Sequence, residues 1–381
     1  MIKLRSSAKN KKRSVLNRTI DFFINSNYRA YLVGGYVRDS TLGRKSIDTD
    51  IVVEGDAVKV AKQLNAKLKG SLSKHSEFGT ASIVHKTGRI DLASARVEHY
   101  PSPAELPHVY PSTIIEDLNR RDFSINAIAM SISRENFGEI FDPFNGLQDI
   151  KSGIIRALHK NSFIDDPTRI FRALRYKNRF GFRIEKKTLA LMTEAIEKNL
   201  IKRLTGQRIL NEIRLIFAED TYQQTLQDIS TLNIFKVKKN DIEQLPFLGS
   251  ERIYYYISKL NTNKFPLTNE EKKITTDLRN IERTVTRLKK ASQNSTLYYI
   301  LSPISAEIVN VILLIHPEMR NKIKMYSQLK KIKPFIRGND LKTLGFKSSK
   351  RFKTLLKKMF DLQLNKKIHS KKEAIALLKN Q

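Results

Sequence analysis

The sequence predicts an α+β fold, in which a small mixed head is followed by a long region that is all helical. Strand signals are confined to about residues 19–150, where short apolar runs alternate with polar turns. Beyond about residue 151, apolar residues recur at the i, i+3 and i+4 spacing of amphipathic helices, as at Ile209, Ile213 and Ile216. Strands and helices that are separated along the chain in this way are typical of α+β architectures.

Short local patterns predict the first elements of the head. Residues 31–33 are an apolar run that ends at Gly34-Gly35, which is typical of a buried strand. Residues 47–53 alternate between apolar and polar side chains and then become apolar, which suits a strand with one face at a polar site. Asp56 stands where it can cap a helix that extends through Leu64.

The rest of the head is predicted to contain a hairpin and a loop. Residues 80–84 and 89–95 have strand patterns and are joined by a turn at Lys86-Thr87-Gly88. The proline-rich residues 101–111 are predicted to form a loop with little regular structure.

The charge balance indicates a polyanionic partner. The 381 residues include 70 Lys and Arg against 38 Asp and Glu, which gives a net charge of +32. Nucleic acid is the first candidate partner and a membrane surface is the second, while a basic face exposed to water is the structural alternative. No apolar run reaches the ~18 residues of a spanning helix, which counts against the membrane.

The N-terminal residues 1–18 are basic, contain no Asp or Glu, and lack the apolar core of a secretory signal. A mitochondrial presequence would share this composition. The apolar pattern begins almost at once, however, and a cytoplasmic location is therefore predicted. The chain has no Cys, which excludes disulfides and thiolate metal sites.

Three aspartates are candidate catalytic residues. Asp48 and Asp50 stand two positions apart in a predicted strand, so their carboxylates point to the same face. Mg²⁺ binds one or two protein carboxylates together with substrate phosphates, and two such ions can activate a hydroxyl and stabilise a leaving pyrophosphate. Asp91, on another predicted strand, is either a third carboxylate for the same ions or an ion-pair partner of Arg89 or Arg96.

Two further motifs are suited to contact a nucleotide. Gly34-Gly35 lets the backbone approach a ligand closely, and Arg38 can donate hydrogen bonds to a phosphate oxygen. Arg121, Asp122 and Asn126 open a predicted helix. Asp122 is either the N-cap of that helix or an acceptor for a ribose hydroxyl, with Asn126 bonding nearby and the arginine meeting phosphate.

A set of arginines follows another predicted helix start. Asp166-Pro167 is a typical cap followed by the first helical position. Arg169, Arg172 and Arg175 recur every three residues, so they lie along one slowly turning side of the helix. They are either nucleotide-binding residues or a solvated basic stripe.

In combination these motifs resemble the class II tRNA nucleotidyltransferases and the related bacterial poly(A) polymerases. The resemblance is good over residues 30–220 and looser beyond, and it rests on residues 32–39 with 48–50, on residues 120–127, and on Asp166-x-x-Arg169. It implies a polymerase-β-like catalytic head at 1–150, a helical neck at 151–220, a helical body at 221–330, and a helical, tRNA-binding tail at 331–381.

The resemblance also implies a reaction and its participants. CMP or AMP would be added to the 3′ end of tRNA without a nucleic-acid template, from CTP or ATP, with Mg²⁺ and release of pyrophosphate. The implied roles are metal binding by Asp48 and Asp50, triphosphate contact by Gly35 and Arg38, phosphate and sugar contact by Arg121 and Asp122, and base reading by Asp166 and Arg169 with Arg172 and Arg175 nearby.

Base reading by Asp166 and Arg169 is chemically reasonable. Cytosine and adenine both present an amino donor beside a ring-nitrogen acceptor, so a carboxylate can accept from the first and an arginine can donate to the second. Guanine and uracil reverse this pattern. Sites built on hydrogen-bond complementarity can discriminate by roughly 10⁴.

Two features refine the resemblance. Asp165 stands where the family has Glu, and its shorter side chain puts a bracing role for this position in doubt. Residues 96–113 look like the flexible loop of enzymes that add the terminal A. This loop favours a CCA-adding enzyme or an A-adding enzyme, and the latter needs a separate CC-adding partner.

The basic C-terminal segment, Phe335 to Leu378, is predicted to be a packed helix with a basic outer face. Its lysines are Lys350, Lys353, Lys357 and Lys358, and their apolar neighbours are Phe352, Leu355, Leu356 and Phe360. By resemblance this segment would hold tRNA through phosphates and shape.

Two other functions stay open at this point. A poly(A) polymerase would use the same catalytic head, and the sequence separates the two poorly. A catalytically silent RNA-binding protein is the more remote alternative. Asp48 and Asp50 count against it, because a protein that only binds RNA needs no paired metal carboxylates.

Overall fold

The computed structural model describes residues 14–44, 49–75, 79–260, 264–346 and 350–379. The chain divides into two compact units, with the boundary between Phe235 and Lys236. The predicted division into head, neck, body and tail is finer than this boundary and stays a prediction. The predicted order, a sheet-containing region followed by helices, is confirmed.

The first unit is built on a seven-stranded sheet, accompanied by two small two-stranded sheets. The strands are β1 Ala30–Val33, β2 Asp50–Val53, β3 Ser71–His75, β4 Thr80–His85, β5 Gly88–Ser94, β6 Arg96–His99, β7 His108–Pro111, β8 Ala129–Ser131, β9 Ile140–Phe141, β10 Ile154–Ile155 and β11 Arg183–Ile184. The order in the main sheet is β3-β4-β5-β2-β1-β8-β9. Neighbours in this sheet are antiparallel except β2 and β5, which are parallel and set Asp50 opposite Asp91.

Helices pack around this sheet and extend beyond it. They are α1 Val15–Ile24, α2 Gly35–Thr41, α3 Ala57–Leu68, α4 Ile114–Asn119, α5 Gly146–Ser152, α6 Ser162–Asp165, α7 Thr168–Phe180, α8 Lys186–Glu197, α9 Gly206–Phe217 and α10 Tyr222–Thr231. Tyr31 and Val33 of β1 form a buried cluster with Ile114 and Leu118 of α4. This cluster fixes the end of β1 and the approach to residue 120, which both border the candidate site.

Several predicted elements of the head are confirmed. β1 is buried along its whole length. The Asp56 carboxylate accepts from the Lys59 backbone N–H at 2.9 Å and caps α3. β4 and β5 form the expected hairpin, with His85 opposite Gly88. The strand predicted over residues 47–53 is observed from Asp50; Thr49 precedes it without regular structure, and residues 47 and 48 lie outside the described part of the chain.

The prediction of an irregular loop at residues 101–111 is confirmed for residues 101–107 and wrong for residues 108–111, which form β7. β7 begins inside this segment and pairs antiparallel with β6, with Arg96 opposite Pro111 and His99 opposite His108. Pro111 is the last residue of β7, where a missing N–H costs the ladder least. Residues 101–107 therefore form the connection between β6 and β7, and the two-stranded ribbon spans residues 96–111.

The prediction of a helix opening at residues 120–127 is also wrong. Only one 3₁₀ turn forms there, Ser124–Asn126, because β8 begins at Ala129 and leaves no room for further turns. Asp122 is consequently not an N-cap. Its carboxylate accepts from the Phe123 backbone N–H and from side chains of the candidate site instead.

The second unit is helical throughout its described residues. Its helices are α11 Lys239–Glu243, α12 Arg252–Lys259, α13 Asn269–Arg279, α14 Ile281–Lys290, α15 Asn294–Leu301, α16 Ala306–Ile315, α17 Arg320–Leu329, α18 Gly338–Thr343, α19 Lys350–Leu364 and α20 Lys371–Lys379. Within the described ranges no single helix has the length and hydropathy of a membrane span, and α15 and α16 meet these criteria only as a pair bent by 110°.

The C-terminal segment predicted as one helix is three. α18, α19 and α20 share a buried core that includes Leu341, Leu355 and Leu378. The expected basic face of α19 is present, because Lys353 and its neighbours Lys357 and Lys358 are exposed. The side chain of Lys350 lies outside the described residues.

Candidate functional site

A polar cavity of about 600 Å³ in the first unit collects most of the predicted site residues. Those that line it are Gly34, Gly35, Arg38, Asp50, Arg121, Asp122, Asn126, Asp166, Arg169, Arg172 and Arg175. Among its described lining residues, nine are Arg and six are Asp or Glu. This excess of positive charge around a concave surface favours an anionic ligand such as a polyphosphate.

Gly34 is required at the rim of this cavity for two reasons. Its φ of 55° lies in the left-handed region, which residues with a side chain rarely adopt. A Cβ atom there would also lie 2.8 Å from Nη1 of Arg121. Gly35 meets no such crowding, since its nearest neighbour would be Nη2 of Arg38 at 3.6 Å. The first glycine of the pair therefore makes room for an arginine of the cavity.

Arg38 lines the cavity but is buried by its own partners. Its Nε donates to Oδ1 of Asp39 at 2.8 Å, and its Nη1 donates to Oδ1 of Asn126. The guanidinium also lies over the rings of Tyr176 and Phe180, at 5.3 and 4.7 Å from their centroids. Arg38 therefore joins α2 to α7, and its predicted contact with a phosphate stays a prediction.

A buried carboxylate, Asp122, forms an ion pair at the cavity wall with Arg172, whose side chain is partly exposed. Nε of Arg172 donates to Oδ2 of Asp122 at 2.7 Å, while the Asn126 amide donates to Oδ1 at 2.9 Å. Burial acts to raise the pKa of the Asp122 carboxyl, but the charge of Arg172 and the bond from Asn126 outweigh it and hold the pKa at about 2. Asp122 is therefore a fixed anion, as the prediction of a sugar-binding acceptor requires.

Asp166 is held through one of its two carboxylate oxygens. Oδ1 accepts from the Thr168 backbone N–H at 2.9 Å, from the Thr168 hydroxyl at 2.5 Å, and from Nη2 of Arg208 at 2.7 Å. The N-cap of α7 is Pro167, one residue later than predicted, but the Asp166 side chain still accepts from the backbone N–H of Thr168, the first residue of the helix. Within the described residues, each hydrogen bond found at this carboxylate goes to Oδ1, which leaves Oδ2 available to a ligand.

Arg169 lines the cavity beside Asp166 and is 5% exposed. Its Nη1 donates to the Ser162 hydroxyl at 2.8 Å and its Nη2 to the carbonyl oxygen of Arg120 at 2.8 Å. Arg175, two turns further along α7, is also buried and donates to Glu219 at 3.3 Å. The interpretation as a solvated stripe is therefore wrong for Arg169 and Arg175, which are buried, while Arg172 is partly exposed and pairs with Asp122.

Comparison with known proteins shows which family this chain belongs to. The pattern of the poly A polymerase head domain matches residues 30–156, and that of the probable RNA and SrmB-binding site of polymerase A matches residues 181–243. The chain is 32% identical to an A-adding tRNA nucleotidyltransferase of Halalkalibacterium halodurans, over 91% of this chain and 87% of the relative. The chain belongs to the class II tRNA nucleotidyltransferase family.

Other members of the family extend the comparison. An A-adding tRNA nucleotidyltransferase of Aquifex aeolicus is 34% identical over 84% of this chain, but the chain spans only 43% of the length of that relative. The structure of the Thermotoga maritima CCA-adding enzyme complexed with tRNA-CCA superposes with a TM-score of 0.68, at 29% identity, over 97% of each chain.

The carboxylates that this family membership makes relevant meet on the main sheet. Asp50 is exposed, lines the cavity, and lies directly opposite Asp91 in parallel register, so both side chains are on one face of the sheet. Asp91 is also an ion-pair partner of Arg89 at 2.8 Å and accepts from Ser82. Asp48 lies outside the described residues, and within those that are described no group of three metal-ligating side chains occurs.

Sequence reasoning missed the acidic partners of Arg120 and Arg121. Asp117 is fully buried and accepts from Arg120 at 2.7 Å and from Arg121 at 2.9 Å, while Glu98 of β6 accepts from Arg120 at 2.8 Å. Burial acts to raise the pKa of the Asp117 carboxyl, but the charges of Arg121 and Arg120 lower it by a larger amount. The pKa is therefore below its ordinary value, and Asp117 stays charged. Asp117 shares a helical face with Arg121 at i, i+4, and this spacing was the available signal.

Arg208 and Glu212 of α9 were also missed. Arg208 donates to Asp166 and, through Nη1, to the carbonyl oxygen of Ala104 at 2.7 Å, so it joins three separate segments. Glu212 is 8% exposed and lies 3.9 Å from Nη2 of Arg175, and burial raises its pKa despite the nearby Arg172 and Arg175. The signal was a pair of charges one turn apart within an otherwise apolar helix face.

Proposed function

We propose that this chain is an A-adding tRNA nucleotidyltransferase. It would transfer AMP from ATP to the 3′-hydroxyl of a tRNA and release pyrophosphate. The observation that carries the proposal is that Asp166 and Asp50 line one arginine-rich cavity. One side chain suits recognition of a base and the other suits the reacting phosphates. The A-adding names of the two curated relatives described above support addition of A.

The base would be recognised at the start of α7. Oδ2 of Asp166 would accept a hydrogen bond from the exocyclic amino group of adenine, because Oδ1 is occupied by Thr168 and Arg208. Arg169 is anchored through its two terminal nitrogens. Its Nε–H, or an Nη1–H released from Ser162, would donate to the adjacent ring nitrogen. A carbonyl in place of the amino group would face the carboxylate and be repelled.

The sugar and phosphates would be held by fixed charges. The Asp122 carboxylate stays ionised through Arg172 and Asn126 and would accept from a ribose hydroxyl. Arg121 and Arg172 would face the triphosphate, and Arg38 would hold Asn126 in place. These groups are oriented before the ligand arrives, so little reorganisation would accompany binding.

The oxygen donors of the site fit a magnesium ion. Asp50 and Asp91 share one face of the sheet, and oxygen ligands are those that Mg²⁺ prefers. We propose that Asp48 and Asp50 hold the metal, with Asp91 either as a third ligand or as the group that orients Arg89. Bound there, the ion would supply charge stabilisation to the reacting phosphates.

The reaction would join the 3′-oxygen of the tRNA to the α-phosphorus of ATP. The bond from the α-phosphorus to the oxygen that bridges it to the β-phosphate breaks, pyrophosphate leaves, and the proton of the hydroxyl is lost to solvent. Contacts to the tRNA body would come from the basic C-terminal helices, where Lys353, Lys357 and Lys358 are exposed.

The test is nucleotide incorporation with Mg²⁺ on three tRNA transcripts, which end at the discriminator base, after CC, and after CCA. ATP and CTP are offered separately and together. The proposal expects a single A on the CC-ended transcript and nothing on the others. Completion of the shortest transcript to CCA would assign a CCA-adding enzyme. Long A tails would assign a poly(A) polymerase, and no incorporation would overturn the proposal.

A further inference from the structure

A second cavity of the first unit lies outside the candidate site. It measures about 530 Å³ and is formed by α1, the C-terminal end of α3, and the β4–β5 turn. Four of its lining residues are basic: Arg18, Lys69, His85 and Lys86. None of the described residues that line it is Asp or Glu, and none is shared with the candidate site.

The turn after α3 sets the wall of this cavity. Lys69 has a left-handed φ of 58° and ends the helix, and the Gly70 N–H donates to Oδ1 of Asn65 at 3.0 Å. A Cβ at Gly70 would lie 2.7 Å from the carbonyl oxygen of Val84, so the turn packs directly on β4. The Arg18 guanidinium is anchored on the other side, where it donates to the Lys67 carbonyl.

His85 is oriented by its neighbours on the β4–β5 turn. Its Nδ1 accepts from the Thr87 backbone N–H at 3.2 Å, so in the neutral ring the proton is carried by Nε2. The Thr87 hydroxyl in turn accepts from the Val15 backbone N–H at 3.1 Å, which ties the turn to α1. Val84, which is 53% exposed, adds an apolar surface beside these donors.

We propose that this cavity binds phosphate groups of an RNA backbone at a site separate from the catalytic cavity. Arginine, lysine and hydroxyl donors are the side chains that most often contact backbone phosphates, and an apolar surface beside them suits a ribose. The inference rests on the proposed function for the presence of RNA. A purely structural role, in which Lys69 compensates the negative end of the α3 dipole, predicts a loss of stability when it is replaced, with no specific loss of RNA affinity.

The experiment compares two double variants of the full chain that change charge equally. Lys69→Glu with Lys86→Glu alters the cavity, and Lys59→Glu with Lys62→Glu alters exposed lysines of α3 outside it. The dissociation constant for a tRNA transcript is measured by fluorescence anisotropy at several KCl concentrations. We expect the cavity variant alone to weaken binding and to lower the salt slope by about one to two. Its rate of AMP transfer at saturating tRNA stays unchanged.

Three outcomes would overturn the inference. Equal losses in both variants would mean a general effect of net charge. A lower thermal midpoint in the cavity variant with unchanged tRNA affinity would support the structural role of Lys69. The site would be restricted to free phosphate if inorganic phosphate raised the thermal midpoint of the wild type while the cavity variant kept the tRNA salt slope of the wild type. An absence of AMP transfer by the wild type would defeat the proposed function and leave this binding comparison intact.

Discussion

Replacing Asp166 with Asn tests base recognition at its most specific point. Three donors fix Oδ1: the Thr168 N–H, the Thr168 hydroxyl and Nη2 of Arg208. The amide oxygen of Asn must occupy this position, because an NH₂ group there would face three donors. The NH₂ group then occupies the position of Oδ2, so the cavity receives a donor in place of an acceptor.

The expected effect follows from the hydrogen bond that is lost. A bond to a charged acceptor contributes about 1.5–3 kcal/mol, and opposed donors add a desolvation cost of similar size. A total of about 3 kcal/mol corresponds to a fall of about 100-fold in kcat/KM for ATP. GTP and UTP present a carbonyl at this position, so their use should rise relative to ATP.

The assay is single-nucleotide incorporation on a CC-ended tRNA, with each of the four nucleotides measured separately. Asp165→Asn is the matched control. This neighbouring carboxylate lies 3.9 Å from Nδ1 of His159 and does not line the cavity. The control should keep the selectivity and the thermal midpoint of the wild type, while Asp166→Asn should lower the midpoint slightly because it removes the charge that faces Arg208. If Asp166→Asn retained the ATP efficiency and the nucleotide preference of the wild type, Asp166 would not read the base.

Three further predictions concern other parts of the molecule. Asp50→Asn should abolish AMP transfer and leave the tRNA dissociation constant unchanged; transfer at the wild-type rate would refute the metal assignment. The pKa of Asp122 is about 2 in the folded chain against an ordinary 3.8. Its charge therefore stabilises the fold by about 2 kcal/mol, and this contribution is complete above about pH 4. The contribution is lost as the pH falls through 2. Urea unfolding between pH 2 and 6 should show less of this dependence in Asp122→Asn, and identical pH profiles would contradict the pairing with Arg172. Leu341 is fully buried in the core of the C-terminal helices. Leu341→Ala should therefore destabilise the second unit by about 2–5 kcal/mol and weaken tRNA binding. Unaffected binding would exclude these helices as the tRNA contact.

The sequence predicted best where one short pattern determines the structure. The β4–β5 hairpin and the cap at Asp56 depend on neighbouring residues alone, and both were predicted correctly. The helix expected at residues 120–127 depends instead on where β8 joins the sheet, and that pairing is made with β1, far away in the chain. The ribbon of β6 and β7 was likewise hidden, because proline content describes the connection and not the strands on either side.

For the candidate site, the sequence identified residue types but not their partners. Arg169 and Arg175 were selected as a row on one helix, and they do line the cavity. Their bonds, to Ser162 and to Glu219, cross between elements that no local pattern connects. Arg208 was missed for the same reason. Arg208 joins α9 to Ala104 and Asp166, and these three segments come together only in the folded unit.

The parallel pairing of β2 with β5 has a consequence for how the protein is made. The two strands are separated in the chain by α3, β3 and β4, although they are neighbours in the sheet. The β4–β5 hairpin can close soon after its residues leave the ribosome, whereas the β2–β5 pair must wait for a long crossover to fold back. Asp50 and Asp91 therefore come together only after this crossover has folded back, and a nascent chain without this pairing has no assembled carboxylate face with which to act on RNA.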